Sequence, residues 1–124
     1  MKKESPGSPE PEDLRVRTRQ YAVRVIRLYS SLPRNEVART LGKQLLRSGT
    51  SVGAQYREGQ RAKSNADLIS KIEGSLQELE ESEYWLELLA EAAVFSTTRL
   101  QPLLDETHEL ISILVTVVKN IKVR

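Results

Sequence analysis

The thirteen residues from Arg47 to Gly59, RSGTSVGAQYREG, place three glycines and two serines inside a stretch whose flanking apolar residues recur with the period of a helix. A glycine in a helix interior costs roughly 0.5–1 kcal/mol relative to alanine, so Gly49, Gly53 and Gly59 require a compensating gain. Close backbone packing supplies it most simply, against a neighbouring helix of the same chain or against another subunit. The chain is thereby confined to folds in which helices approach closely. The spacing of Gly49 and Gly53 is that of helix packing and not of a phosphate-cradling loop, since no strand pattern precedes it.

With 124 residues, 39% of them apolar, the chain suits one domain with a modest core. One tryptophan and one phenylalanine leave that core to aliphatic side chains, which favours helices. The lack of cysteine excludes disulfides, zinc–thiolate sites and thiol nucleophiles. Met1-Lys2-Lys3 leads into prolines without an apolar run, unlike a signal peptide. The apolar stretch from Ile111 to Val118, broken by Ser112 and Thr116, is far shorter than the ~20 residues of a membrane span. A cytoplasmic protein with no membrane contact is expected.

Residues 1–12, with Pro6, Pro9 and Pro11 among serine, glycine and charges, read as a disordered tail. Four helices are expected in the remainder, 13–124, at about 13–32, 35–62, 65–94 and 98–121. Asp13 is a candidate cap for the first, whose apolar positions Leu14, Tyr21, Val25, Leu28 and Leu32 run up to Pro33. The second carries the stripe Ala38, Leu41, Leu45, Ser48, Val52 and Tyr56. Ser64-Asn65-Ala66-Asp67 has capping-box spacing and opens a third helix, with the seam Ile69, Ile72, Leu76, Leu79, Glu83, Leu86, Ala90 and Ala93. Leu103, Thr107, Leu110, Leu114, Val117 and Ile121 mark the fourth, where Pro102 is tolerable in a first turn. Short connections make consecutive helices antiparallel neighbours, so the expected fold is an all-α, up-down-up-down four-helix bundle.

The charges are segregated. Residues 13–31 hold five arginines and one acid and residues 34–63 seven basic and two acidic groups, whereas 64–94 hold one lysine and eight acids. The formal net charge of +2 therefore conceals a basic first half and an acidic third helix. Two readings follow. Basic and acidic helices can lie side by side, where surface ion pairs add little stability but disfavour wrong neighbours. Alternatively, Arg15, Arg17, Arg19, Arg24 and Arg27, with Arg39, Lys43, Arg47, Arg57, Arg61 and Lys63, form a face for nucleic-acid phosphates. No motif for reading base sequence accompanies them.

Catalytic constellations are weak. His108, the only histidine, follows Asp105 by three residues, half of a di-iron carboxylate motif whose other half is missing; no metal, cofactor or small-molecule substrate is expected. The serines have no positioned base. Glu83 is the one charge on the apolar seam, where a carboxylate is costly unless paired: it either lies at the bundle's edge or bonds Tyr56, Arg57 or Tyr84, or else it faces an oligomer pore or binds a partner's arginine. Tyr84 and Trp85 flank the seam and suit either packing or a subunit interface, where aromatics are enriched.

Residues 41–89, LGKQLLRSGTSVGAQYREGQRAKSNADLISKIEGSLQELEESEYWLELL, closely resemble the bacterial four-helix proteins encoded by intervening sequences of 23S ribosomal RNA genes. The RSGTSVGAQYRE block, the polar cap at 64–67 and the SEYWLELL run occur in the family's order, and the flanking helices fit its first and last. The resemblance implies a small antiparallel bundle that forms rings, homopentamers being the expected form, without enzyme activity. A related group, the accessory variability determinants of diversity-generating retroelements, is similar in fold and uses a basic pentamer to bind a reverse transcriptase and nucleic acid. This chain differs from that group in its acidic third helix. The leading expectation is an RNA- or DNA-associated accessory protein acting through its first two helices. The alternative is a protein-interaction scaffold ring that does not touch nucleic acid.

Overall fold

The fold was obtained as a computed structural model that describes residues 11–123, with side chains from Asp13 onward. Most of the tail expected over 1–12 thus lies outside the described residues. The chain forms α1 (Pro11–Ser31), α2 (Glu36–Gly59), α3 (Asn65–Glu91) and α4 (Thr97–Lys122), and no strand occurs among the described residues. The fold is all-α.

Local chemistry sets most helix ends. The Asn35 side chain accepts the Ala38 amide at 2.9 Å, Ser64 Oγ that of Asp67 at 3.1 Å, and Ser96 Oγ that of Arg99 at 3.4 Å, each satisfying a first-turn donor that has no intrahelical partner. α1 begins at Pro11, ahead of the predicted cap. Proline has no amide proton to leave unpaired there and its fixed φ already suits a first turn, so Asp13 sits inside that turn, where a carboxylate complements the positive helix end.

α3 stops at Glu91 instead of running to 94. Ala93 turns left-handed, with φ 54°, while its N–H donates to Ala90 O at 3.1 Å and the Val94 N–H to Leu89 O at 3.0 Å. These bonds close the last turn in the way a terminal glycine usually does. Alanine bears a steric cost there that glycine would not. Ala93→Gly should therefore stabilise the protein by about 0.5–1 kcal/mol, seen as a higher urea midpoint; an unchanged or lower midpoint would refute the strain.

The helices surround one aliphatic core built from Leu14, Tyr21 and Val25, Leu45 and Val52, Ile72, Leu79, Leu86 and Leu89, and Leu100, Leu110 and Leu114. α3 buries Ile72, Ser75, Leu79, Ser82, Leu86 and Leu89, so its seam is rotated from the predicted one. Leu76, Glu83 and Ala90 fall beside the seam and Ala93 outside it. Small α2 residues explain the rotation. Ser75 Oγ donates to Val52 O at 2.8 Å and Ser82 Oγ lies 2.8 Å from Ser48 Oγ, contacts that need two close helices with little side chain between them.

On its other flank α2 meets α1. A Cβ on Gly49 would lie 2.7 Å from Val25 Cγ2, and one on Gly53 3.0 Å from Thr18 Oγ1. Cross-helix contacts run in opposite order along each consecutive pair: Thr18 with Gly53 and Leu32 with Gly42, then Ser48 with Ser82 and Gly59 with Lys71, then Glu83 with His108 and Glu73 with Lys122. α1 packs mainly on α2 and only lightly on α4, and its backbone does not approach α3, which lies diagonally opposite.

Hydroxyls join the helices in pairs at the centre. Tyr21 Oη lies 2.6 Å from Thr107 Oγ1, which donates to Leu103 O at 2.8 Å. Ser48 and Ser82 form the second hydroxyl pair, between α2 and α3. Burial pushes the Tyr21 phenol up to about 12, against the opposing pull of the Thr107 bond.

Candidate nucleic-acid interface

The diagonal placement of α1 and α3 decides which charges can meet. Arg17 pairs with α4, its Nε and Nη2 gripping the two Glu106 oxygens at 2.9 Å each, with Glu109 also bound. The Glu106 bond holds the Arg17 guanidinium above its usual value. Arg47 on α2 bonds Glu78 at 3.3 Å and also Glu81, both on α3. Arg15 donates to Gln60 at 3.0 Å. Pairing of a basic helix with the acidic third helix is thus present at Arg47, whereas Arg17 finds its acids on α4.

The other predicted cations have no ion-pair partner among the described residues. Arg19, Arg27, Arg39, Lys43, Arg61 and Lys63 are exposed, and Arg24 and Arg57 half-buried. On α3, Glu80, Glu87 and Glu91 are likewise exposed and unpaired among the described residues. The molecule therefore presents unpaired positive charge on α1 and unpaired negative charge on the opposite side.

Several of these cations line notches at the ends of the fold. At the end holding the α1 C-terminus and the α4 N-terminus, Arg24, Arg27, Leu28 and Ser31 face Phe95, Arg99 and Leu103 across a notch of about 240 Å³. The Arg99 guanidinium stacks 4.5 Å from the centre of the Phe95 ring. Arg34 and Arg39 line a separate notch, of about 280 Å³, between α1 and α2. Arg99 is absent from the sequence-predicted set; its neighbours in sequence, Thr97, Thr98 and Leu100, give no basic run to flag it.

At the opposite end a cavity of about 560 Å³ is bounded by Tyr56, Gly59, Lys63, Leu68, Val117 and Ile121, among others. Among the described residues, its lining contains neither a carboxylate nor an imidazole. Burial raises the Tyr56 phenol above the ordinary tyrosine value, with the Arg15 charge acting against it.

Glu83 does not bond Tyr56, Arg57 or Tyr84. The rotation of the α3 seam leaves it half-exposed beside α4, where its carboxylate meets His108 Nε2 at 2.6 Å. Asp105 accepts instead from Gln101 at 2.8 Å, and no group of three or more potential metal ligands occurs among the described residues. Gly49 and Gly53 pack against α1 and Gly59 against Lys71, Leu68 and Ile72 of α3. Tyr84 is exposed, with its ring edge-on to Trp85 at 5.0 Å, and the buried Trp85 Nε1 has no hydrogen-bond acceptor among the described residues. None of the described helices is long and apolar enough to cross a membrane.

No curated protein is detectably similar to the chain. Among solved structures, a Bacteroides thetaiotaomicron protein of unknown function from the S23 ribosomal protein family is 34% identical. The match covers 88% of this chain and 97% of that one, with a TM-score of 0.82. The family model described as 23S rRNA-intervening sequence protein matches residues 12–116, which takes in the glycine-serine block, the capped start of α3 and most of α4. Sequence, fold and the match across nearly the whole described chain agree: the protein belongs to the 23S rRNA-intervening sequence protein family.

Proposed function

We propose that this chain is a non-enzymatic, up-down-up-down four-helix bundle that self-assembles into a ring, with a homopentamer as the expected form, and associates in the cytoplasm with RNA, DNA or a ribonucleoprotein such as a reverse-transcriptase complex. The reversed order of cross-helix contacts supports the topology. One observation carries the nucleic-acid reading: Arg19, Arg24 and Arg27 have no ion-pair partner among the described residues, and the acid-rich helix lies diagonally across the core. Unneutralised guanidinium groups on a helical surface attract phosphate backbone with little regard to sequence.

Fluorescence anisotropy with structured RNA and duplex DNA tests this. Binding is expected at a Kd of about 10⁻⁶–10⁻⁴ M near physiological salt and should tighten steeply as salt falls. Absence of binding at low salt and micromolar protein would sink the reading. A scaffold ring free of nucleic acid is the second reading, favoured by the exposed Val16, Val23 and Ile26 on α1 and by the exposed Tyr84 beside the unsatisfied Trp85 indole. Native mass spectrometry showing a ring, together with null anisotropy, would select it.

A further inference from the structure

We propose that the notch between the C-terminal half of α1 and the start of α4 is a phosphate-binding site built from Arg24, Arg27 and Arg99. The source of the phosphate rests on the nucleic-acid reading above: one phosphodiester of a nucleic-acid backbone. Among the described residues, the three arginines are the only ionisable groups lining the notch, and none has an ion-pair partner there. Like charges brought to one opening repel each other, an arrangement that an anion between them relieves.

Arg99 is also placed against the electrostatics of its own helix. It lies in the first turn of α4, which has no acidic residue, although the amide dipoles make a helix start favourable to anions and unfavourable to cations. A cation held against that local rule suits a site that receives an anion from outside the fold. Its guanidinium is stacked on Phe95, which orders the side chain before anything binds. Leu28, Leu103 and Phe95 supply apolar walls, and poorly hydrated walls strengthen an arginine–phosphate bond. The Ser31 hydroxyl, which donates to Arg27 O at 3.0 Å, adds a polar group at the rim.

Size narrows the ligand. A notch of about 240 Å³ is smaller than the ~300–1,000 Å³ usual for whole small molecules, but it admits a phosphate with part of a sugar. Arginine's fixed fork of donors matches phosphate oxygens in pairs.

Two measurements test the site. In amide NMR spectra, inorganic phosphate and pyrophosphate should each give saturable shifts confined to residues 24–31 and 95–103. Shifts that are scattered or never saturate would overturn a built site. In anisotropy with a single-stranded RNA, R24Q/R27Q/R99Q should weaken binding about tenfold or more at low salt and flatten the salt slope by about two. R61Q/K63Q/K119Q removes the same charge at the other end and should cost much less. Equal losses from both triples, or a wild-type affinity in the first, would overturn the notch while leaving nucleic-acid binding intact. Wild-type protein that ignores RNA but shows saturable phosphate shifts at the notch would remove the nucleic-acid reading and keep the site for free phosphates. Circular dichroism verifies that both triples fold.

Discussion

Replacing Gly49 with leucine should destabilise the protein by about 3 kcal/mol, a large part of the margin of a domain this size. Its Cβ alone would lie 2.7 and 2.9 Å from the two methyl carbons of Val25, and Val25 is fully enclosed, so those methyls have no open space to occupy. The strain belongs to the seam between α1 and α2 of one chain. Loss of helical circular dichroism should therefore track any loss of assembly, instead of folded subunits coming apart. A milder pair isolates the contact: Gly49→Ala should be destabilising alone but nearly silent in a Val25→Ala background, because the missing methyls make room. Additive urea midpoints would show that the contact does not limit the approach of the helices. Gly74→Ala is the control, since its new carbon meets only the swinging amide end of Gln55.

Tyr21→Phe should show a stability loss at neutral pH that shrinks in alkali. At pH 7 the variant forfeits the bond to Thr107, a cost of about 1 kcal/mol. The wild-type phenol keeps its proton to about 12 when folded, against the ordinary value of 10.0. Below pH 10 the proton is held in both states and its contribution is intact. From pH 10 upward the unfolded chain releases it while the folded one does not, so the folded state loses about 2–3 kcal/mol by the time pH passes 12. Phenylalanine has no proton to lose. Its urea midpoint should fall less steeply between pH 10 and 12, although Tyr56, raised in the same direction, keeps some slope in both proteins. Parallel curves would mean that Tyr21 ionises as an exposed phenol does. Among the four tyrosines, the wild-type absorbance titration should also show one late step that the variant lacks.

Helix number and rough placement were readable in advance because their determinants are local. The 3–4 recurrence of apolar residues is a property of each segment alone, and Asn35 and Ser64 cap with side chains that act on amides three residues away. Register is not local. α3 carries a usable row through Leu76, Glu83 and Ala90 and another through Ser75, Ser82 and Leu89, and hydrophobicity alone prefers neither clearly. The small residues of α2 decide, since serines can bond its backbone and hydroxyls at a separation that leucines would prevent. The partner of Glu83 then follows from that rotation, and no spacing within α3 could have named His108.

The end of α3 was hidden for a different reason: a glycine at 93 would have marked the left-handed residue, and alanine does not. The basic residues were legible as charge but not as places. Arg17 and Arg47 are committed to acids on adjacent helices, and Arg99 gains meaning only when α1 is set beside α4. The glycine-serine block is the opposite case, for its demand for a close neighbour was plain and only the neighbour's identity, α1 for Gly49 and Gly53, awaited the fold.

The basic α1 and the acidic α3 on opposite sides give each molecule a transverse electric polarity. Two copies related by a twofold axis through either side would set like charge on like. Copies related by a repeated rotation set the positive side of one against the negative side of the next, a contact whose two halves differ and which closes only when the turns add to a full circle. In the proposed assembly, polarity of this kind would favour the ring-forming class of contact before any apolar contact is made. Raised salt, by screening it, should slow assembly far more than it loosens rings already formed, a difference that sedimentation before and after a salt jump would read.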